Sequence, residues 1–423
     1  MNLGRELDSL GIPERLRVFE AAYQAAQIRL DEITPSAYAR SRNMMDGAVT
    51  GLSPYLTHGL LSLLDAARAV HNRHPLSFDD KLVFEFGWRE FFHHVWAHQK
   101  DPDAILQDMH GCLPWHGTYA DTLPADIREG RTGVPCIDNA VRTLYATGYL
   151  HNHARMWLAS YVVHLRKVHW RAGADWLYGH LLDGDLPSNH LSWQWVAGTF
   201  SSKPYLFNAE NVLKYAPANA RQVWDSSGTV IDQSYEALDA IARNCTAMGS
   251  ELGPHEKVVE PALLGAFYPL NTPESQLKPG QAAPTNIANI CVKNRTVELV
   301  HPWSLSERRA GEGAKDDLRI GVVHLPAHQA WPWSERRWRF VMSAMAAVTD
   351  DIWIGDLAQL NLSAASSVSA QACLFPGYRD ALPRLAATSP APRLLPDPTM
   401  TCRSFSKFYE RARRDVRQFS DLL

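Results

Sequence analysis

The stretch Asp183–Phe200, DGDLPSNHLSWQWVAGTF, gathers two aspartates, an asparagine, a histidine and two tryptophans in one short run. A surface loop rarely carries two tryptophans, and a core helix rarely carries two aspartates. Asp183 and Asp185 flank Gly184, so the run opens on a turn or a helix start. Carboxylates placed there cap a helix or accept hydrogen bonds from a heteroaromatic ring. Asn189 can donate or accept at ring nitrogens. Trp193 and Trp195 are two apart and point to different sides, so one can face a ligand while the other faces the protein. On residue types alone, a capped helix with structural aromatics reads equally well.

Three upstream stretches carry the same kinds of residue. HNHARM (151–156) places Asn152 and Arg155 three apart, on one helical face. An arginine buried among aromatics needs a carboxylate; Asp183 is the obvious candidate, and a surface arginine is the alternative. In EFGWREFF (85–92), Glu85, Trp88 and Arg89 share a face. An acid beside an indole can recognise and protonate a flat base, but a core tryptophan beside a solvated glutamate looks the same. In VTGLSPYL (49–56), Thr50, Gly51 and Ser53 precede a helix, where hydroxyls and free amides suit a phosphate, as they do at any capped helix. His93, His94 and His98 fall on one helix without an HExxH pattern, so no metal is expected. GxSxG and GxxxxGK[ST] patterns are missing too.

Bulk properties bound the answer. A chain of 423 residues with 46% hydrophobic content builds two or three domains with sizeable cores. The net charge of -3 excludes a global basic field for nucleic acid. Segment 1–217 holds 20 Lys+Arg against 23 Asp+Glu, so any nucleic-acid site is a local patch. Six cysteines without a CxxC pair point to reduced thiols in a cytosolic protein. No signal peptide or membrane-length apolar run is read, so a cytoplasmic location without membrane contact is expected. The 14 tryptophans are clustered.

The first half reads as helical. LRVFEAAYQAAQIRLDEI (16–33) spaces its apolar residues at the helical period. LSPYLTHGLLSLLDAARAVHNR (52–73) reads as one further helix, with Ser53 and Pro54 as cap and first-turn residues. KLVFEFGWREFFHHVWAHQ (81–99), VPCIDNAVRTLYATGYL (134–150) and HNHARMWLASYVVHLRKVHW (151–170) follow. Residues 218–285 read as an end-piece and linker, with a short helix at YEALDAIARN (235–244). Beyond it, TVELVHPW (296–303), RIGVVHLPAH (319–328), DIWIGDL (351–357) and QACLFPGY (371–378) are strand candidates. They alternate with helical SERRWRFVMSAMAAVTD (334–350) and YRDALPRLAAT (378–388), which argues for a parallel α/β sheet. SFSKFYERARRDVRQFSDLL (404–423) reads as a closing helix. The expected chain is multidomain: helical over 1–217, linker over 218–285, and a smaller Rossmann-like α/β domain over 286–423.

Taken in order, TGLSPYLTHG (50–59), GWREFF (87–92), GRTGVPCIDNAVRTLYATGYLHNHARM (130–156) and DGDLPSNHLSWQWVAGT (183–199) resemble the flavin-binding catalytic domain of the photolyase/cryptochrome family. The likeness runs from about Tyr38 to Trp195 and extends toward Pro217. It implies an all-helical domain holding FAD folded into a U. Tyr38, Thr50 and Ser53 match family positions at the flavin phosphates. Arg89, Asn152, Arg155, Asp183, Asp185 and Asn189 match positions around the ring system, with Arg155 and Asp183 as a salt bridge and Asn189 beside the flavin N5. Glu85, Trp88, Asn152, Met156 and Trp195 match a pocket for a flipped-out pyrimidine dimer, whose extraction costs less than flipping an intact base. Trp193 and Trp170 match the first two members of an electron-transfer chain, and Trp115 lies near the third.

The resemblance implies blue-light-driven DNA repair by electron transfer from reduced FAD to cyclobutane pyrimidine dimers, a lyase reaction on single- or double-stranded DNA. A cryptochrome-like photoreceptor without repair is the alternative, and its C-terminal domain would then meet a protein partner. HNHARM resembles the cyclobutane-dimer branch more than the branch acting on (6-4) products. Departures accompany the likeness. The family's α/β antenna domain comes first, whereas here an α/β segment follows. A circular permutation or an unrelated appended domain would each produce that order. Val49 stands where the family has a hydroxyl, His153 where it has arginine, and Tyr149 where it has tryptophan.

Overall fold

The computed structural model describes residues 3–109, 111, 119–244, 247–249, 255–266, 291–307 and 317–423. Trp115, Cys112, Cys245 and, within the expected linker, residues 250–254 and 267–285 lie outside the described residues. A helical part comes first and a parallel α/β sheet last, in the expected order.

The helical part is built around Lys81–Ala97, Pro135–Thr147, Asn152–Ser160, Trp170–His180 and Leu186–Ala197. Three expected helices are shorter or broken. Residues 16–33 are helical only over Tyr23–Asp31. Ahead of it, guanidinium groups rather than a helical ladder satisfy backbone carbonyls: Arg17 Nε donates to Ile12 O at 2.8 Å, and Arg29 reaches the carbonyls of Arg15 and Val18 at 2.7 and 2.8 Å. Residues 52–73 split into Ser53–Thr57 and Leu63–Arg73. The break holds Gly59, left-handed at φ 71, where a Cβ would lie 2.6 Å from the carbonyl oxygen of Trp303. After Asn152–Ser160 the chain widens into a π-type turn over Tyr161–Leu165, and Lys167 takes φ 52.

Five strands form the sheet: β1 Thr296–Val300, β2 Asp317–His324, β3 Asp351–Gly355, β4 Ser367–Gln371 and β5 Ala387–Ser389. Their order is β3-β2-β1-β4-β5, parallel throughout, with Leu299 level with Ile320 on one side and Ala370 on the other. The direction of winding reverses between β1 and β4, as in doubly wound sheets. β2 is buried from Leu318 to His324, the signature of a strand covered on both faces. Helix Glu335–Val348 covers one face, and its Met345 would lie 2.7 Å from a Cβ on Gly321. Helix Tyr378–Leu385 covers the other, and the Tyr378 hydroxyl accepts from His324 N at 2.8 Å.

The expected strand QACLFPGY is displaced: β4 ends at Gln371, and the apolar residues after it enter the core instead. Phe375 stacks on Trp303 at 4.4 Å. β5 carries no apolar signal because all three of its residues are exposed. The expected closing helix is regular only over Phe405–Ala412.

The two parts share one continuous hydrophobic core. A short antiparallel pair, Leu263–Leu264 against Trp333–Ser334, joins them further. No helix among the described residues is long and apolar enough to cross a membrane.

Candidate cofactor site

Helix Leu186–Ala197 starts where the sequence marks it. Asp185 is the N-cap, its side chain accepting from Ser188 N at 3.3 Å, and Gly198 closes the helix at φ 85. Beside it run Asn152–Ser160 and Trp170–His180. Between these elements lies a cavity of about 280 Å³ lined by Ser53, Tyr149, Asn152, Arg155, Met156, Asp183, Asp185, Asn189 and Trp193, among others. Eight of the expected site residues thus meet at one place.

Its electrostatics rest on two buried aspartates. Arg155 Nη2 donates to both oxygens of Asp183, at 3.0 and 2.8 Å. Burial works against the Arg155 charge, and Asp183 outweighs it, so the guanidinium is held above its ordinary value. Asp185 meets Arg89 at 3.3 Å and His93 at 3.0 Å. Burial opposes its charge, but Arg89 and His93 prevail and hold it well below the usual carboxylate range. Arg89 and His93 are one turn apart on the same helix, so the helical period places His93 on the face of Arg89. Asn189 Nδ2 donates to Ala174 O at 2.9 Å, leaving its carbonyl oxygen outside that bond. Asn152 Nδ2 donates to Met156 Sδ at 3.2 Å.

The indole of Trp193 is buried against Gly173, where a Cβ would sit 2.4 Å from the ring. Trp170, three residues earlier on that helix, is also buried and donates from Nε1 to Asp108 at 2.7 Å. The two rings therefore approach the same face of one helix.

Other expected residues stand outside the cavity lining. Thr50 Oγ1 accepts from Leu52 N at 3.3 Å, in the turn ahead of Ser53. Glu85 pairs with Arg42 at 3.5 Å, and burial pushes its carboxyl up. Burial, then the nearby Glu85 charge, raise the Tyr38 hydroxyl strongly. Trp88 is stacked on Phe405, with ring centres 4.2 Å apart and planes within 9°. Trp195 is 38% exposed and leans on Tyr205. Phe405 belongs to the C-terminal segment, whose contact with Trp88 had no local sequence signal.

That segment is also tethered by histidines. His94 Nδ1 lies 2.6 Å from Asp397, His98 Nε2 lies 3.3 Å from it, and Cys402 N donates to His94 Nε2 at 2.9 Å. The acceptor role of Nε2 leaves the neutral ring's proton on Nδ1, facing Asp397. A metal ligand needs the reverse, a bare nitrogen toward the ion and a proton on the other. The trio is therefore a tether.

A larger cleft of about 800 Å³ opens between the helical part and the sheet, with Arg89, His93 and Asp185 on one wall and Glu298, Arg319 and Gln371 on the other. Asp185 thus lies between two open spaces.

The smaller cavity fits the ring end of a flavin. It is near the lower limit of small-molecule pockets, about 300 Å³, and it joins an apolar indole wall to a buried ion pair and an amide. Ser53 lines it as well, and Thr50 lies in the turn just before Ser53.

A family model described as the FAD binding domain of DNA photolyase matches residues 82–271. The deoxyribodipyrimidine photo-lyase of a Synechococcus species is 32% identical over 226 residues, 50% of this chain and 45% of that protein. The deoxyribodipyrimidine photo-lyase of Streptomyces griseus is 37% identical over 155 residues, 36% of this chain and 32% of that protein. Cryptochrome DASH of Gloeobacter violaceus is 31% identical over 193 residues, 43% of this chain and 37% of that protein. The chain thus spans less than half the length of these relatives. A solved cryptochrome from a Synechocystis species aligns with a TM-score of 0.43 and 25% identity, over 50% of this chain and 47% of that one. Residues 82–271 thus match the FAD-binding domain of DNA photolyase, and over part of its length the chain is similar to photolyases and to a cryptochrome DASH.

Proposed function

We propose that the chain repairs cyclobutane pyrimidine dimers in DNA under blue light, with FAD held in the 280 Å³ cavity. The observation that carries this reading is the convergence there of the Arg155–Asp183 pair, Asn189, Trp193, Asn152 and Met156. Bound FAD in its reduced form would supply an electron on excitation and recover it after the dimer ring splits, with no net redox change. Arg155 and Asp183 orient the ring edge. Asn189 offers its amide at N5. Ser53, with Thr50 and Tyr38 further out, belongs to the phosphate end. Arg89 keeps Asp185 ionised beside the cavity.

On the lesion side, Asn152 and Met156 border the cavity. Glu85, held by Arg42 at 3.5 Å, would accept a hydrogen bond from a pyrimidine N–H. Trp88 and Trp195 would bracket the bases by stacking. Trp193 and Trp170 would relay electrons from the protein surface to the ring. The excess of acids over bases in segment 1–217 supports a substrate read through the flipped lesion more than through the DNA backbone.

One observation favours a second reading, a photoreceptor without repair. Trp88 already has a stacking partner in Phe405, so one face of that indole is closed to a base. The C-terminal domain would then be the output that meets a protein partner.

Repair of single- and double-stranded oligonucleotides carrying one thymine dimer, by the reduced protein in blue light and in the dark, decides between them. Light-dependent restoration of thymine is expected. Photoreduction of bound FAD without repair would establish the photoreceptor reading instead.

A further inference from the structure

The turn that carries Asp183 and Asp185 is held from behind by the C-terminal domain. Arg337, on helix Glu335–Val348, is fully buried. Its Nη1 donates to Tyr178 O at 2.8 Å and its Nη2 to Gly184 O at 2.6 Å. The guanidinium carbon lies 4.0 Å from the centre of the Trp333 ring and 4.6 Å from that of Tyr178. Both donated bonds end on neutral carbonyls. Burial works against the Arg337 charge and holds the guanidinium below the ordinary arginine value; Tyr178, then Asp183 and Asp185, the pair at the cavity, favour the charge. Gly184 is what allows the approach, since a Cβ there would lie 2.3 Å from Nη1. His58 grips the same turn, with Nε2 2.9 Å from Leu182 O and Nδ1 2.7 Å from Pro302 O of the sheet domain.

A buried cation bonded only to carbonyls is costly to keep. Here the cost falls on a residue that fixes the backbone between two site carboxylates. We infer that Arg337 is a positioning residue for the flavin cavity: it locks the Asp183–Gly184–Asp185 turn and adds a fixed positive charge behind it, so docking of the C-terminal domain sets flavin affinity and potential. The inference rests on the flavin reading above. A positive charge in a low-dielectric setting favours the more negative of two states. It therefore stabilises a reduced, anionic ring over an oxidised, neutral one and raises the midpoint potential.

The test uses the full chain, stripped of flavin and titrated with FAD, and its reloaded form in a potentiometric titration. Arg337→Met keeps volume and removes charge, an exchange that buried cations often tolerate without loss of stability. The expected result is a folded protein whose FAD dissociation constant rises at least tenfold and whose flavin potential becomes more negative. Arg337→Lys restores the potential more than the affinity, because it returns the charge without the two-pronged grip. A merely structural contact would not separate the two readouts. Should Arg337→Met fail to fold, Gly184→Ala attacks the seat from the other side, with lost affinity and a potential nearer that of the unaltered chain expected. A folded Arg337→Met, or failing that a folded Gly184→Ala, with unaltered affinity overturns the proposal alone. An unaltered chain that takes up no FAD overturns the flavin reading and the proposal together.

Discussion

At the scale of single residues, the site depends on two buried carboxylates, each paired with a guanidinium. Asp183 has 4% of its side chain exposed and one guanidinium partner. Arg155→Leu would strand that charge, and breaking a buried pair from one side costs about 3–5 kcal/mol. The expected outcome is a lower urea midpoint together with loss of bound FAD, followed by absorbance of the purified protein. Histidines set the response to acid. Burial lowers His58 and His151 to about 3, and His153, His164 and His301 to about 4. These rings are neutral when folded, whereas in the unfolded chain they take up protons near pH 6.5. Between those values the unfolded state binds more protons, so stability falls as pH drops from about 6.5 toward 4, by up to about 1.4 kcal/mol per unit for each ring. Thermal melts at pH 7.0, 6.0 and 5.0 check this; a midpoint constant across that range contradicts it. The residues that meet in the cavity lie in short motifs that are visible locally in the sequence. Partners reached through the fold, such as Arg337 behind Gly184 and Phe405 on Trp88, are not, since each pairs positions far apart in the chain.

At the scale of elements, helix centres were readable and helix ends were not. The expected helix over 52–73 breaks at Gly59 because that residue packs on the Trp303 carbonyl of the other domain, which no window of local sequence contains. Gly59→Ala is expected to destabilise by at least about 1–2 kcal/mol for its left-handed backbone alone, with the clash added. Chemical denaturation of the variant measures it, and a loss under 0.5 kcal/mol would speak against the contact. β5 has no signal in the sequence, because three exposed residues at a sheet edge carry no apolar alternation. The closing helix ends at Ala412, short of the expected 404–423, because its amphipathic pattern stops there while the charged run continues. Phe405, buried between Trp88, Phe84 and Tyr409, ties this helix to Lys81–Ala97. Phe405→Ala is expected to cost about 3–5 kcal/mol. It should also change the near-ultraviolet circular dichroism through Trp88; an unchanged spectrum would place the stack elsewhere.

At the scale of the whole molecule, the order of parts was legible and their docking was not. Composition separated a helical part from a strand-rich part, but nothing local foretold that they share a core. Shared burial predicts one cooperative transition: urea curves followed by far-ultraviolet circular dichroism and by tryptophan fluorescence should coincide. Two separated transitions would mean that the halves fold independently. The consequence of Gly59 reaches past stability. Its missing side chain is a hole shaped for another domain's backbone, so drift in the two halves is bound together. A lineage that replaced the sheet domain would have to bring a carbonyl to the same spot or refill the gap. Closely related chains should therefore keep glycine at this position wherever they keep the loop that holds Trp303, and lose both in the same step.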